Sequence, residues 1–448
     1  MRIIIAGGGV IGSNLARELS QEHEVYVIES DKETAAKISE KLDVKVVIGS
    51  GANPSVLSRV PVYQADMVIA VTASDETNVV VCSLAAAYGA KFKVARVRNS
   101  SLAHALQKYR GTHFNIDEII CPEDLAAEAM AKGIETPGAR EVADFANEQI
   151  FFRVFDLEKD SPLCGMALSS LKDRDFPWPF LIVAVMRDGE VFFAAGNTVL
   201  QENDRIYVLL PRASAGEFLT FVRPDVRSCK KVVIFGASRI GRRLTRMLSG
   251  KVKEVILIEP QYDQAEEVAA ELDSVRVLHG SASETDLLME AGIEAADVFI
   301  AARDDDEDNL VSAMLAKKMG AGTTMISAAS PDYMKIVDAM DIDAVFNARF
   351  LAVDQILKYV RGQSFHAVSS FAECDAEALE LVPEEGSPVT KHPLKEVGFP
   401  RDSLVGAVFR DNEVVLARGD LEIRAGERVI VFCREAAVKK LQKLFTKK

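Results

Sequence analysis

Two distant stretches of this chain are versions of one another. "GGGVIGSNLARELS" from Gly7 aligns with "GASRIGRRLTRMLS" from Gly236. "EVYVIESD" from Glu24 aligns with "EVILIEPQ" from Glu254, which sets Glu29 against Glu259. "GSGANPSVL" from Gly49 matches "GSASETDLL" from Gly280. "ADMVIAVTASDETNVVVCSLA" from Ala65 matches "ADVFIAARDDDEDNLVSAMLA" from Ala296 and pairs Asn78 with Asn309. The spacing between partners is almost constant, so insertions are confined to loops. Such repetition constrains architecture strongly, because each copy must build the same supersecondary unit.

Each copy alternates strands with helices. Ile3 to Ala6 are an apolar run of buried-strand type, and Val25 to Ile28 are another. Between them Ile11, Leu15 and Leu19 recur every four residues, as one face of a helix does. Further strands are expected near Met67–Val71 and Phe92–Val97, and in the second copy near Val298–Ala301 and Thr324–Ala328. This alternation implies a parallel sheet covered on both faces. The helices Pro122 to Ile134 and Ala348 to Val360 close the two copies.

A smaller repeat follows each copy. "SPLCGMALSSL" from Ser161 is echoed by "SPVTKHPLKEV" from Ser387, and the run from Leu181 is echoed by the run from Ser403. Arg187-Asp188-Gly189 and Arg410-Asp411-Asn412 are hairpin-turn chemistry between β-rich runs. The fold class is therefore α/β: two Rossmann-like doubly wound domains, each followed by a small α+β domain. The expected boundaries are 1–138, 139–225, 229–363 and 364–448.

Gly7, Gly9 and Gly12 fit a dinucleotide-binding turn. Gly7 serves the tight strand-to-helix turn, Gly9 lets backbone approach a pyrophosphate, and Gly12 lets helix and strand pack closely. Gly8, Val10 and Ile11 complete the turn and the first helical residues, whose free N–H groups suit phosphate. Glu29 stands where a carboxylate accepts ribose hydroxyls. Against this stands a tight turn in an ordinary α/β domain. A secretory signal is a further alternative, which three consecutive glycines and the early charges Arg17 and Glu18 argue against. The second copy keeps Gly236, Ile240, Gly241 and Glu259 but has Ala237, and Ser238 in place of the middle glycine. Arg239, Arg242 and Arg243 cluster at its helix start, and Arg303 stands where the first copy has Thr72. Such cations favour a more anionic ligand. Asp304 to Asp308 oppose it, either recruiting a divalent ion or simply suiting a helix N-terminus.

Composition removes several classes. The formal charge of −14 disfavours nucleic acid and direct adsorption on anionic lipid. Uncharged stretches run to fourteen residues, as at Thr77 to Ala90, against about 20 for a membrane-spanning helix. The six cysteines, Cys82, Cys121, Cys164, Cys229, Cys374 and Cys433, are dispersed without metal spacing, which suggests reduced thiols in a cytoplasmic protein and no metal site.

The order of domains resembles the TrkA family, cytosolic regulators of Trk-type potassium uptake built from two RCK modules. "IIIAGGGVIG", "VTASDETN", "ARVR", "DDEDNLVSAMLAKKMGA" and both small modules carry the resemblance over essentially the whole chain. It implies binding of NAD(H) and of ATP or ADP, and a homotetramer held to the inner face of the cell membrane by a potassium-transporter subunit. It also implies gating of potassium flux, and closing helices such as Ala348 to Val360 covering a neighbour, the alternative being a crossover helix packed on its own sheet. At the first site it carries Gly7 to Gly12 to phosphate and Glu29 to ribose. Thr72 and Ala73 would line the crevice, and Arg96 would approach a phosphate or a neighbouring module. Thr72 and Asp75 also suit the cap of the next helix, and Arg96 a plain surface charge. The rival class is an NAD-dependent oxidoreductase with a duplicated cofactor domain. No catalytic spacing is evident, and a short module that occurs twice suits sensing better than turnover.

Overall fold

The computed structural model describes residues 1–109, 113–135, 139, 141–171, 176, 178–222, 229–330, 333, 340–360, 365–370 and 376–447. The expected boundaries at 138, 225 and 363, together with Cys374, lie outside the described residues. By its internal contacts the chain forms two compact units. One is Met1–Ala126 with Asn347–Val360, and the other is Ala127–Phe346 with Arg361–Lys448.

The first unit holds a parallel sheet of β1 (Arg2–Ala6), β2 (Glu24–Glu29), β3 (Lys45–Ile48), β4 (Met67–Ala70), β5 (Phe92–Arg96) and β6 (Glu118–Ile120). Its strand order is β3-β2-β1-β4-β5-β6, the doubly wound arrangement. Its helices are α1 (Val10–Ser20), α2 (Lys32–Lys41), α3 (Pro54–Leu57), α4 (Asp75–Ala87), α5 (Ser100–Tyr109) and the start of α6 (Pro122–Glu135). Strand alternation divides the apolar residues between two faces. Ile4, Ala6, Val68 and Ala95 meet Val81 and Cys82 of α4 and Leu106 of α5. Ile3, Ile5, Val27 and Ile69 meet Ile11, Leu15 and Leu19 of α1.

The second unit begins within α6. It contains a five-stranded sheet of β7 (Glu141–Phe145), β8 (Ile150–Asp156), β9 (Leu181–Arg187), β10 (Glu190–Phe193) and β11 (Arg205–Pro211), with α7 (Leu168–Leu171) and α8 (Ala215–Val222). A second parallel sheet follows, of β12 (Lys231–Phe235), β13 (Glu254–Glu259), β14 (Arg276–His279), β15 (Val298–Ala301), β16 (Thr323–Ser327) and β17 (Ala344–Phe346). Its order, β14-β13-β12-β15-β16-β17, repeats that of the first. Its helices are α9 (Arg239–Leu248), α10 (Tyr262–Glu271), α11 (Thr285–Glu290) and α12 (Asp306–Lys318). After α13 (Ala348–Val360), which belongs to the first unit, β18 (Phe365–Ser370), β19 (Ala376–Leu381), β20 (Ser403–Arg410), β21 (Glu413–Leu416), β22 (Arg428–Arg434) and α14 (Val438–Phe445) complete the chain.

The two small sheets pack face to face. Phe152 stacks on Phe432 at 5.7 Å within a core that includes Val183, Tyr207, Ala378 and Ile430. Gly406 marks a close approach, since a Cβ there would lie 2.0 Å from Leu209 Cδ1. Both expected hairpins form, with positive φ at Asp188 and Gly189 and at Asp411 and Asn412.

The closing helices do not follow the alternative of a crossover helix packed on its own sheet alone. Neither stays on the sheet of its own copy alone. In α13, Ala352, Val353, Ile356, Leu357 and Val360 pack into the first sheet's core, and Tyr359 meets Phe92 at 5.8 Å. A Cβ on Gly133 of α6 would lie 3.2 Å from Met325 Cε and 3.5 Å from Phe346 Cζ, in the second copy. The helices are exchanged because the two sheets offer near-equivalent apolar faces, so a neighbour in the same chain satisfies the stripe. Among the described residues no helix is long and apolar enough to cross a membrane.

Candidate functional site

In a sheet of this order the chain reverses direction of progress between β1 and β4, and ligands bind beyond the carboxyl ends of the strands at that point. The residues singled out in the first copy all arrive there. Gly7 to Gly12 follow β1, Glu29 ends β2, Thr72 and Ala73 follow β4, and Arg96 ends β5.

The glycines have separate reasons to be glycine. Gly7 has φ +107°, and a Cβ there would lie 2.8 Å from Thr72 N. At Gly12 a Cβ would lie 1.8 Å from Gly7 O, so any side chain forces α1 away from the turn. Gly9 is different, because a Cβ there would meet nothing within 4 Å. Gly9 is exposed and caps α1 with no side-chain hydrogen bond, and the first turn, opening on Val10 and Ile11, carries no acid. Neither a capping side chain nor an acid of the first turn takes up the N–H groups of that helix start, as an anion site requires.

Glu29 is held in place from the backbone. Its Oε2 accepts from Gly8 N at 2.5 Å and its Oε1 from Asp31 N at 2.8 Å. Two carboxylate oxygens accept about four hydrogen bonds. With Ser30 Oγ as a third donor at 3.1 Å, acceptor capacity remains for ribose.

The opposite wall is tied by Asn78, a fully buried residue of α4. Its Oδ1 accepts from Thr72 N at 2.8 Å and Thr72 Oγ1 at 2.7 Å, and its Nδ2 donates to Thr72 O and Arg96 O. One amide therefore clamps the ends of β4 and β5. Arg96 Nη1 donates to Thr72 O at 3.1 Å, while its Nε is buried with no partner. Burial lowers the Arg96 pKa, so its charge is only partly compensated. Arg96 is thus no plain surface charge. Thr72 and Asp75 do not cap α4. Ser74 does, accepting from Thr77 N at 3.1 Å. The Asp75 carboxylate is taken up by Arg98 N and Asn99 N. Asn78 was not singled out from the sequence as a site residue, although its identity with Asn309 across the repeat was the available signal.

The second crevice keeps the frame and changes the contents. A Cβ on Gly241 would lie 1.9 Å from Gly236 O, and Glu259 is buried with its Oε2 accepting from Ala237 N at 2.5 Å. Asn309 repeats the clamp, joining Arg303 to Ser327 O. The helix start, however, is already served. Ser238 caps α9 and accepts from Gly241 N at 3.3 Å, while its hydroxyl donates to Ala302 O. The arginines around that start are largely taken up by protein partners. Arg242 is bound to Ala237 O and paired with Glu267 at 2.7 Å, and Arg243 lies 3.7 Å from Glu128. Arg303 lies against Gly236, over the Phe235 ring at 5.4 Å, paired with Asp308. Arg239 is exposed and Ile240 is buried beneath the turn. The acids are committed too. Asp305 caps α12, Asp306 accepts from Ala329 N and Ser330 N, and Glu307 is bound by Tyr333. Among the described residues no group of His, Cys, Asp and Glu has the arrangement of a metal site.

A cavity of about 990 Å³ lies elsewhere in the second unit, lined by Trp178, Phe221 and Leu248, and holds no residue of either crevice.

The comparisons agree with this duplication. The TrkA-N domain family matches residues 3–122 and 232–348, and the TrkA-C domain family matches 152–223 and 378–446. The Trk system potassium uptake protein TrkA homolog of Archaeoglobus fulgidus is 30% identical over 445 residues, covering 99% of this chain and 100% of that protein. The Trk system potassium uptake protein TrkA of Haemophilus influenzae is 30% identical over 456 residues, covering 99% and 98%. In fold, the crystal structure of the GsuK RCK domain gives a TM-score of 0.61 at 18% identity, covering 99% of this chain and 94% of that one. The GsuK channel bound to NAD gives 0.62 at 17%, covering 99% and 78%. With both halves matched in tandem and relatives aligned from end to end, this chain belongs to the TrkA family.

Proposed function

We propose that the chain is the regulatory subunit of a Trk-type potassium transport system, a nucleotide-responsive switch that acts by binding rather than turnover. The observation that carries the ligand assignment is the first crevice. It has a helix start at Gly9 with no side-chain cap, a positioned carboxylate at Glu29, and a half-buried Arg96 whose buried Nε is unpartnered. These residues fit NAD(H), with Gly7 to Gly12 and Arg96 serving phosphate and Glu29 serving ribose. A carboxylate at the ribose repels a 2′-phosphate, so NADPH binds more weakly than NADH. Thr72 and Ala73 line the crevice through the Asn78 clamp.

The second crevice, comprising Gly236 to Gly241, Glu259 and Arg303, takes the more anionic ATP or ADP. Arg303 exchanges Asp308 for phosphate. The relatives, Trk system potassium uptake proteins, support the transport role, and the NAD-bound GsuK channel supports the ligand class. In this reading the assembly is a homotetramer, peripheral to the inner face of the cell membrane and joined to it by the transporter subunit. The four domains run 1–138, 139–225, 229–363 and 364–448. A ligand shifts such an assembly only by its difference in affinity between two states.

The test has two parts. Calorimetry of the full chain should show NADH bound more tightly than NADPH. Co-purification with a Trk-type membrane subunit should depend on nucleotide. Steady oxidation of NADH with keto acids would overturn the switch in favour of an oxidoreductase.

A further inference from the structure

The two crevices differ at a place that neither the glycine turn nor the arginines touch. If the phosphates lie at the start of α9, beyond β12, and the ribose at Glu259, at the end of β13, the sheet gives the ligand a direction. The next strand outward is β14. A base joined to that ribose, on the side away from the phosphates, comes to the ends of β13 and β14 and the start of α10. His279 stands there, directly in register with Glu259. Tyr262 opens α10 and is 62% exposed. The two rings meet edge to face at 5.5 Å. His279 Nε2 donates to Pro260 O at 3.1 Å, which holds the imidazole against the strand end. The first crevice has nothing of the kind. In register with Glu29 stands Ile48, and the first residue of α2 is Lys32.

We infer that Tyr262 and His279 form an aromatic base-reading edge in the second crevice, selecting purine nucleoside phosphates over phosphates without a base. The inference rests on the proposed second site and adds to it which residues choose the ligand. Both side chains are exposed, so neither is needed to fill the core. A tyrosine this exposed offers a base a ring to stack on, with the histidine meeting it edge to face. Stacking accepts any purine, so the edge reads the presence of a base, while Glu259 and Arg303 read ribose and phosphate. The first crevice presents an aliphatic side chain and a cation, and draws its affinity from the phosphate turn.

The test uses the full chain with ATP and, as the ligand without a base, inorganic tripolyphosphate. In the Tyr262→Trp variant, ATP should quench the added emission and tripolyphosphate should not. In Tyr262→Ala, ATP binding at this site should weaken by roughly 5- to 150-fold, with Tyr262→Phe restoring it, while tripolyphosphate binding is unchanged. ATP binding lost in Glu259→Ala but intact in Tyr262→Ala keeps the second site and overturns the base-reading edge. ATP binding untouched by either substitution overturns the second site itself.

Discussion

Gly9→Ala separates the ligand from the fold. The residue has φ −63° and ψ −168°, an extended conformation that alanine adopts freely. The added Cβ meets nothing within 4 Å. The folding cost is therefore limited to the poorer cap, about 0.5–1 kcal/mol, or a few degrees in the melting of this module. Gly12→Ala is the contrast. Its Cβ would stand 1.8 Å from Gly7 O, so helix and turn must part by more than about 1 Å, and overpacking of that kind costs roughly 1–3 kcal/mol or more. NADH affinity should nevertheless fall in both. In Gly9→Ala the methyl group stands where the pyrophosphate approaches the helix start, and we expect at least about a tenfold loss, which is about 1.4 kcal/mol. Calorimetric titration with NADH, alongside thermal melting, gives both quantities. A Gly9→Ala protein that binds NADH with unchanged Kd would falsify the phosphate-turn assignment, however well Gly7 and Gly12 fit it.

Asn78→Ala removes the clamp on β4 and β5, and leaving its buried partners unpaired should cost about 2–4 kcal/mol. Urea unfolding measures this, and NADH affinity should fall more than in Asn309→Ala. Asp144→Asn leaves the fully buried Arg153 without its 2.8 Å counter-charge. The loss should approach about 3–5 kcal/mol, while replacing both partners with apolar residues recovers most of it. Glu24 is held down to about 2 by hydrogen bonds from Lys45, Tyr26 and Arg2. Because this pKa is depressed on folding, its contribution is present above the ordinary 4.5 and disappears as the pH falls toward 2. Lys45→Met should bring the NMR-observed Glu24 titration back toward 4.5, and an unmoved titration would show that the contact does not persist in solution.

Much of the fold was legible because its signals are local. Ile3 to Ala6, the three glycines, the Ile11–Leu15–Leu19 stripe and Glu29 all lie within thirty residues, and each acts through backbone geometry or periodicity. The hairpins at Asp188-Gly189 and Asp411-Asn412 read correctly for the same reason, since turn residues tolerate positive φ. Strands β6 and β17 escaped, being three residues each and too short for a pattern. The arginines of the second copy were legible as charges but not as partners. Whether Arg242 meets a phosphate or Glu267 depends on how α9 and α10 lie together, and no spacing in the sequence encodes that. Arg96 is the converse case. Only the fold shows that it is half-buried, with its Nε enclosed and unbonded.

The helix exchange follows the same logic one level higher. Ala352, Val353, Ile356, Leu357 and Val360 form an apolar stripe that any reader of the sequence assigns to a buried face, and it is buried. What the stripe does not say is which sheet it covers, because duplication supplied two sheets of the same order and similar apolar lining. The exchange has a consequence for a switch. Strand β17 ends at Phe346 and α13 begins at Ala348, so only Asn347 intervenes. Asn347 is itself buried, and its Oδ1 accepts from Arg349 N at 2.9 Å and Phe350 N at 3.2 Å, which fixes the helix start. Within the first unit α13 packs in the same core as Ile11, Leu15 and Leu19 of α1, and α1 begins at the phosphate turn of the first crevice. Coupling between two ligands needs an element whose position both can bias. Within the first unit α13 is such an element for the first crevice, because it shares a core with α1, so whatever displaces α13 displaces the helix that opens at the phosphate turn.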